Sequence, residues 1–294
     1  MLDIHCEHEH HLDEYVLSES FTDWQSSMDI IKSYIIGFAK RIKKYTRQML
    51  AGLRPNDLYR LHQALDDVVH METGEHLAGL ILKEPDIQRE LPVIRSYYAT
   101  FFNIHEVHLA NELLKSVTPW ESLKCFPLYP RYEALVRNEI DAMHIMPDSI
   151  LAFVGCGPLP VSLILMNHLY SIRCVGVDSS SETVRLSKQV IQYLGLGKEI
   201  EIIHGNHSCL QGLDWDAVLV AALAEPKAQI FQSLREILKK RDSYVPVVFR
   251  TYTGMRAILH KPVQSSDIEG FRIVKEILPT GRVNNTTVFA ELDT

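Results

Sequence analysis

The spacing of apolar and polar positions changes once along the chain. Over roughly the first 115 residues the apolar positions recur at helical intervals. "MDIIKSYIIGFAKRIKKYTRQML" has an apolar side and a basic side, the latter expected to be solvated. "NDLYRLHQALDDVVHMETGEHLAGLIL" follows Pro55 with Asn/Asp capping residues and runs on as an amphipathic helix. "LPVIRSYYATFFNIHEVHLANELLKSV" opens on a proline, which predicts a helix start there. Its stripe is Ile94, Tyr98, Phe101, Phe102, His105, Leu109 and Leu113. No strand pattern occurs in this part.

A proline-marked joint follows, "TPWESLKCFPLYPRY". Beyond it, short apolar runs alternate with helical segments: "ILAFVG", "RCVGVD", "IEIIHG", "DAVLVAAL", "VPVVFRT", "FRIVKEI" and "TTVFAEL". Such alternation predicts βαβ units on a parallel sheet. The last two runs are close together, which predicts an antiparallel hairpin at the sheet edge. The expected fold class is α/β: an all-helical N-terminal domain over residues 1–120, then a Rossmann-like, nucleoside-binding domain over 121–294.

Composition narrows the function. A net charge of -7 disfavours a nucleic-acid partner, which calls for a basic footprint. No apolar run is long enough to span a bilayer. The N-terminus "MLDIHCEHEHHLDEY" has no apolar stretch of the kind a secretory signal needs. Cys6, Cys125, Cys156, Cys174 and Cys209 are scattered and odd in number, as in a reducing cytoplasm. These readings predict a cytoplasmic protein with neither a membrane nor a nucleic-acid partner. "HEVH" at 105–108 is not a zinc motif, because Leu109 stands where the second histidine belongs. His5, His8, His10 and His11 form a terminal cluster to which no metal is assigned.

The chemistry is expected at "LAFVGCGPLPVSLILM". Gly155 and Gly157 follow the first strand and permit close approach of a ligand to the backbone. Asp178 ends the next strand, 21 residues after Gly157, where a carboxylate can accept both ribose hydroxyls. The plainer alternative is a tight βα turn with a helix-capping aspartate. Pro160 occupies the position of a third glycine, so a pyrophosphate fits poorly and a nucleoside without phosphates fits better. S-adenosylmethionine is such a ligand. Asn206, after the third strand, is placed to read an adenine edge or simply to form a turn.

Four blocks, in order over roughly residues 126–263, resemble the nicotianamine synthases: "FPLYPRYEALVRNEI", "FVGCGPLPVSLIL", "WDAVLVAAL" and "VFRTYTGMRAILHKPV". The resemblance implies transfer of the 3-amino-3-carboxypropyl group of S-adenosylmethionine, with release of methylthioadenosine and no catalytic metal. It also implies that Gly155, Cys156, Gly157, Pro158, Leu159 and Ala222 join Asp178 and Asn206 around the donor. Cys156 stands where the plant pattern has Ser, Thr251–Tyr252–Thr253 where it has Ser-Ala-His, and Leu128 and Pro130 interrupt the tyrosine block. The chain therefore looks like the bacterial branch, which makes staphylopine-like opine metallophores. That branch implies histidine as acceptor (D-histidine favoured, L-histidine possible), a homodimer, and a link to an opine dehydrogenase and metallophore transport. A conventional small-molecule methyltransferase and a nucleoside-sensing module are the alternatives.

An acceptor amine must lose a proton before it attacks, so a carboxylate base is needed. Glu106, beside the apolar stripe and one turn after Phe102, is the candidate, and the resemblance implies a glutamate in this role. Its alternative is a solvated helix glutamate. Tyr129 and Tyr132 at the joint are candidates to orient the amine or hold the tail carboxylate, or else they are packing aromatics. Arg250, read as ending a strand at the sheet edge, is a candidate partner for a substrate carboxylate, or else forms an internal salt bridge.

Overall fold

The computed structural model describes residues 10–293 except 72, 144, 147, 242 and 243, with side chains from residue 24 onward. Cys6, His5 and His8, and the side chains of His10 and His11, lie outside this description. The helical part comprises α1 (His10–Ile42), α2 (Arg47–Ala51), α3 (Pro55–Val69), α4 (Gly74–Lys83), α5 (Pro85–Leu113), α6 (Pro119–Lys124) and α7 (Tyr129–Met143). The sheet part follows as β1 (Ile150–Val154), α8 (Val161–Tyr170), β2 (Arg173–Asp178), α9 (Ser181–Tyr193), β3 (Ile200–His204), β4 (Ala217–Val220), α10 (Lys227–Leu238), β5 (Val247–Thr251), β6 (Phe271–Ile277) and β7 (Thr286–Leu292).

All seven apolar runs become strands of one sheet, in the order β3-β2-β1-β4-β5-β7-β6. β1 to β5 pair in parallel, and β7 enters antiparallel between β5 and β6. Only β6 is an edge on that side. Its middle residues are exposed, and Arg272, Lys275 and Glu276 place charge on either side of the exposed Ile273 and Val274 along this unpaired edge.

The central strands are buried on both faces, so their sequences are continuously apolar rather than alternating. Leu151 and Phe153 face one core, Ala152 and Val154 the other. The first core is continuous with the helical part: Ile35 of α1, Leu65 of α3, Phe101 of α5 and Val136 of α7 belong to it, together with α8 and α9. The second core lies under α10, around Phe231 and Phe249.

Two helix boundaries differ from the pattern reading. The stretch after Pro55 is two helices, not one. Pro55 is itself the first helical residue, and the chain breaks before Gly74, whose φ of 63° lies in the left-handed region. The long helix α5 starts at Pro85, not at the proline of "LPVIRSYY". Pro92 lies inside it, at the cost of one backbone hydrogen bond. The proline-rich stretch 118–132 is itself largely helical, with Pro119 at the first position of α6 and Tyr129 opening α7.

Candidate active site

A cavity of about 750 Å³ opens at the carboxyl ends of β1, β2 and β4, roofed by α5 and α7. One end is built around the glycine turn. Gly155 and Gly157 have φ of 82° and 73°, values that favour glycine. Neither has room for a side chain: a Cβ on Gly155 would come within 2.8 Å of the Ala224 Cβ, and one on Gly157 within 2.8 Å of Glu106 Oε2. The Gly155 and Cys156 amides donate to the Val177 carbonyl at 2.8 and 3.3 Å, which ties the turn to β2. Cys156 packs against Gly176, and burial pushes its thiol well above its ordinary range, so it is no nucleophile. Pro158 and Leu159 line the cavity, and Pro160 leads into α8.

Asp178 stands at the end of β2. Its carboxylate accepts from the Gly157 amide at 3.1 Å and the Ser180 amide at 3.0 Å. Each oxygen keeps capacity for a further donor, as ribose hydroxyls would need. Asn206 lines the cavity, but its Oδ1 accepts from the Ser208 amide and hydroxyl at 2.9 and 2.6 Å. These bonds shape the local turn through Oδ1 alone, with Asn206 still on the cavity wall. Ala222 sits in the loop after β4. The Lys227 ammonium, itself buried, gathers that loop by donating to the carbonyls of Ala221, Ala222 and Ala224. The sequence reading missed Lys227. Nothing in a lysine opening a helix signals that its amine turns back into the preceding loop.

Glu106 reaches this turn from α5. It is half-buried at the cavity wall, and the Tyr132 hydroxyl donates to its Oε1 at 3.1 Å. Burial, with a smaller contribution from Asp178, raises its carboxyl to about 8, against the Tyr132 hydrogen bond that lowers it. A carboxyl so placed gains or loses its proton near neutrality, the property asked of a general base. Of the two tyrosines only Tyr132 lines the cavity. Tyr129 is buried away from it, near Glu133 and Arg137.

Arg250 also lines the cavity, but the sequence reading of it needs correction. β5 is interior to the sheet, not at its edge. The guanidinium is bound side-on by buried Glu139, at 2.7 and 2.8 Å. This is the internal salt bridge, with the Glu139 carboxylate also within 3.4 Å of the Thr287 hydroxyl. His105 packs against Phe101 and Tyr59, and burial lowers its imidazole to about 4. Among the described residues, no group of three His, Cys, Asp or Glu side chains is arranged to hold a metal. No described helix is long and apolar enough to cross a membrane.

The far end of the cavity is walled by Tyr98, Phe102, Arg131, Tyr252, Asn284 and Asn285. Sequence reasoning placed Tyr98 and Phe102 in a packing stripe and read no role into the asparagines. "VNN" between two strands looks like a turn, and only tertiary structure turns it towards a cavity.

The sheet order, the glycine turn and the helical roof define an α/β fold of the S-adenosylmethionine-dependent transferase class. A family model described as "Nicotianamine synthase protein" matches residues 24–294, and the chain belongs to the nicotianamine synthase family. It is 27% identical to nicotianamine synthase 1 of Arabidopsis thaliana, over 78% of this chain and 74% of that one. It is 22% identical to an L-histidine 2-aminobutanoyltransferase of Pseudomonas aeruginosa, over 48% of this chain and 53% of that one. A crystal structure of a glutamate-to-glutamine mutant of MtNAS in complex with S-adenosylmethionine superposes with a TM-score of 0.78 at 34% identity, covering 87% of this chain and 97% of the other. MtNAS in complex with MTA and tNA gives 0.82 at 33%, covering 90% and 97%.

Proposed function

We propose that the chain transfers the 3-amino-3-carboxypropyl group of S-adenosylmethionine to the α-amino group of histidine, releasing methylthioadenosine. The observation that carries this reading is the Glu106–Tyr132 pair, set between the glycine turn and the aromatic end of one cavity. The turn and Asp178 suit the ribose and the uncharged body of the donor. The MtNAS complexes support the choice of donor, and the Pseudomonas relative supports histidine as acceptor. The chain's departures from the plant pattern favour the same branch.

The donor supplies a sulfonium leaving group. The acceptor nitrogen forms a bond to the γ carbon as the carbon–sulfur bond breaks and its electron pair returns to sulfur. The protein supplies position and a proton sink. Glu106 Oε1 holds the Tyr132 hydroxyl, which fixes the carboxyl rotamer. At pH 7 a carboxyl at about 8 carries its proton. A cation bound at the adjoining turn favours the carboxylate, so donor binding prepares the base. Glu106 then takes the proton of the attacking amine.

On this reading the chain works as a cytoplasmic homodimer, without a catalytic metal, and its product passes to an opine dehydrogenase and a metallophore transporter. The test is incubation with carboxyl-labelled S-adenosylmethionine and a panel of D- and L-amino acids, followed by mass analysis. Methylthioadenosine and labelled aminobutanoyl-histidine are expected. S-adenosylhomocysteine as the nucleoside product would replace the proposal with a methyltransferase. Binding of the donor without turnover of any acceptor would leave a sensing module.

A further inference from the structure

The aromatic end of the cavity holds two amides whose bonding is incomplete. Asn284 is 7% exposed, and its Oδ1 has no hydrogen-bond partner. Its Nδ2 points to Asp66 Oδ1 at 3.4 Å. This contact fixes the amide's orientation, because a flipped group would set oxygen against a carboxylate. Asn285 next to it is half-buried; its buried Nδ2 lies beside the Tyr252 hydroxyl and keeps a second N–H without a partner. Buried amide groups are normally paired, so this pair marks a place that a ligand completes.

The charges around it decide what kind of ligand. Arg131 is held by Asp66 through two bonds of 2.6 Å, and Arg250 by Glu139. Arg131 and Arg250 are thus neutralised, and Arg47, which also lines the cavity, donates only to the Asn103 amide at 2.9 Å, so the wall offers one cation without a carboxylate partner. A polyamine would find no opposite charge there, whereas a single carboxylate would. One free acceptor and one free donor side by side match a molecule that offers both, carrying its own compensating charges. Tyr98 and Tyr252 flank the pair edge to face, with ring centres 6.0 Å apart, and Phe102 packs on Tyr98 at 4.8 Å. Their rings suit a flat side chain.

We infer that Asn284 and Asn285, flanked by Tyr98 and Tyr252, recognise a zwitterionic α-amino acid as acceptor, with Asn285 Nδ2 donating to its carboxylate and Asn284 Oδ1 accepting from its side chain. This rests on the transfer reaction proposed above and adds the residues that choose the acceptor.

The experiment compares Asn285→Ala, Asn285→Asp and Tyr252→Phe with the wild type, using whichever amino acid of the panel the wild type turns over best. Asn285→Ala should raise the acceptor KM by about tenfold, the loss of one hydrogen bond to a charged group. Asn285→Asp should raise it about a hundredfold, because it sets carboxylate against carboxylate. The donor Kd and kcat should change less than twofold in both. With the decarboxylated amine of the same acceptor, the penalty of Asn285→Asp should vanish. Tyr252→Phe keeps the ring and should raise KM only a few-fold, which provides a measurement if an asparagine variant folds poorly. An unchanged acceptor KM in all three variants overturns this assignment and leaves the transfer reaction standing. Equal loss of donor affinity overturns it as well. A wild type that binds donor but uses no amino acid overturns the reaction itself, a result visible before any variant is made.

Discussion

The two ends of the cavity are made of different material. The glycine-turn end, proposed above to hold the donor, is made largely of backbone: two glycines with positive φ, amides tied to β2 and Asp178, and a loop whose carbonyls converge on Lys227. The aromatic end, proposed above to hold the acceptor, is made of side chains from α5, α7, the end of β5 and the segment before β7. A backbone surface has few ways to vary, because any side chain added at Gly155 or Gly157 meets a neighbour. A side-chain surface is altered by a single substitution. The difference teaches which end of the cavity a single substitution can reshape.

The comparison can be broken first at Gly157. Gly157→Val should abolish donor binding in calorimetry while leaving the far-UV spectrum and the helical part intact. Its Cβ would press on the Glu106 carboxylate from a backbone conformation that β-branched residues avoid. Normal donor affinity in this variant would mean that the turn does not face the ligand.

Next comes Glu106, where the two ends meet. Glu106→Gln should cut turnover by roughly 10²–10⁴-fold, the usual worth of a general base, with a smaller change in donor affinity. Higher pH should recover part of the loss by freeing more amine. In the wild type, kcat/KM for the donor should climb towards pH 8 as the raised carboxyl ionises, and that inflection should be missing in the variant. Titrations at pH 7 in buffers of different ionisation enthalpy should show protons released on donor binding by the wild type alone. A rate equal to wild type would remove Glu106 from the chemistry.

The smallest effect is expected at Lys227. Lys227→Met leaves three carbonyls without their ammonium and loosens the loop that packs on Gly155. The donor KM should rise about tenfold, equivalent to one hydrogen bond involving a charged group, with kcat at saturation little changed. Steady-state kinetics over a donor series decides it. An unaltered KM would make the clamp purely architectural.

Much of the glycine-turn end was legible because its signals are local. The period change marks the sheet, the glycines mark the turn, and Asp178 follows at a fixed distance along the chain. All seven strands were readable: β1 to β5 are buried and parallel and write themselves as apolar runs, and β6 and β7 lie close enough along the chain to be read as a hairpin. The helix starts were harder. Pro92 sits within α5 because the rest of that helix is held by packing, which outweighs one missing amide. Glu106 was singled out from its place beside the stripe, but its perturbed acidity comes from burial under residues far along the chain. The aromatic end was the least readable. Asn284, Asn285 and Tyr252 come from a turn and a strand end, and they meet Tyr98 only once the chain has folded. Arg250 shows the reverse problem: its partner Glu139 lies 111 positions away, and no short-range signal links them.

Asp66 has a consequence for anyone recombining these sequences. This one buried carboxylate on α3 receives Arg131 from α7, and Arg282 and Asn284 from the segment between β6 and β7, across as many as 218 positions. Splicing in the final strands of a relative would strand Asp66 among mismatched neighbours, and exchanging the helices alone would orphan Arg282. Three stretches therefore travel as a linked set, and a change of acceptor by recombination needs crossover points that keep all three from one parent.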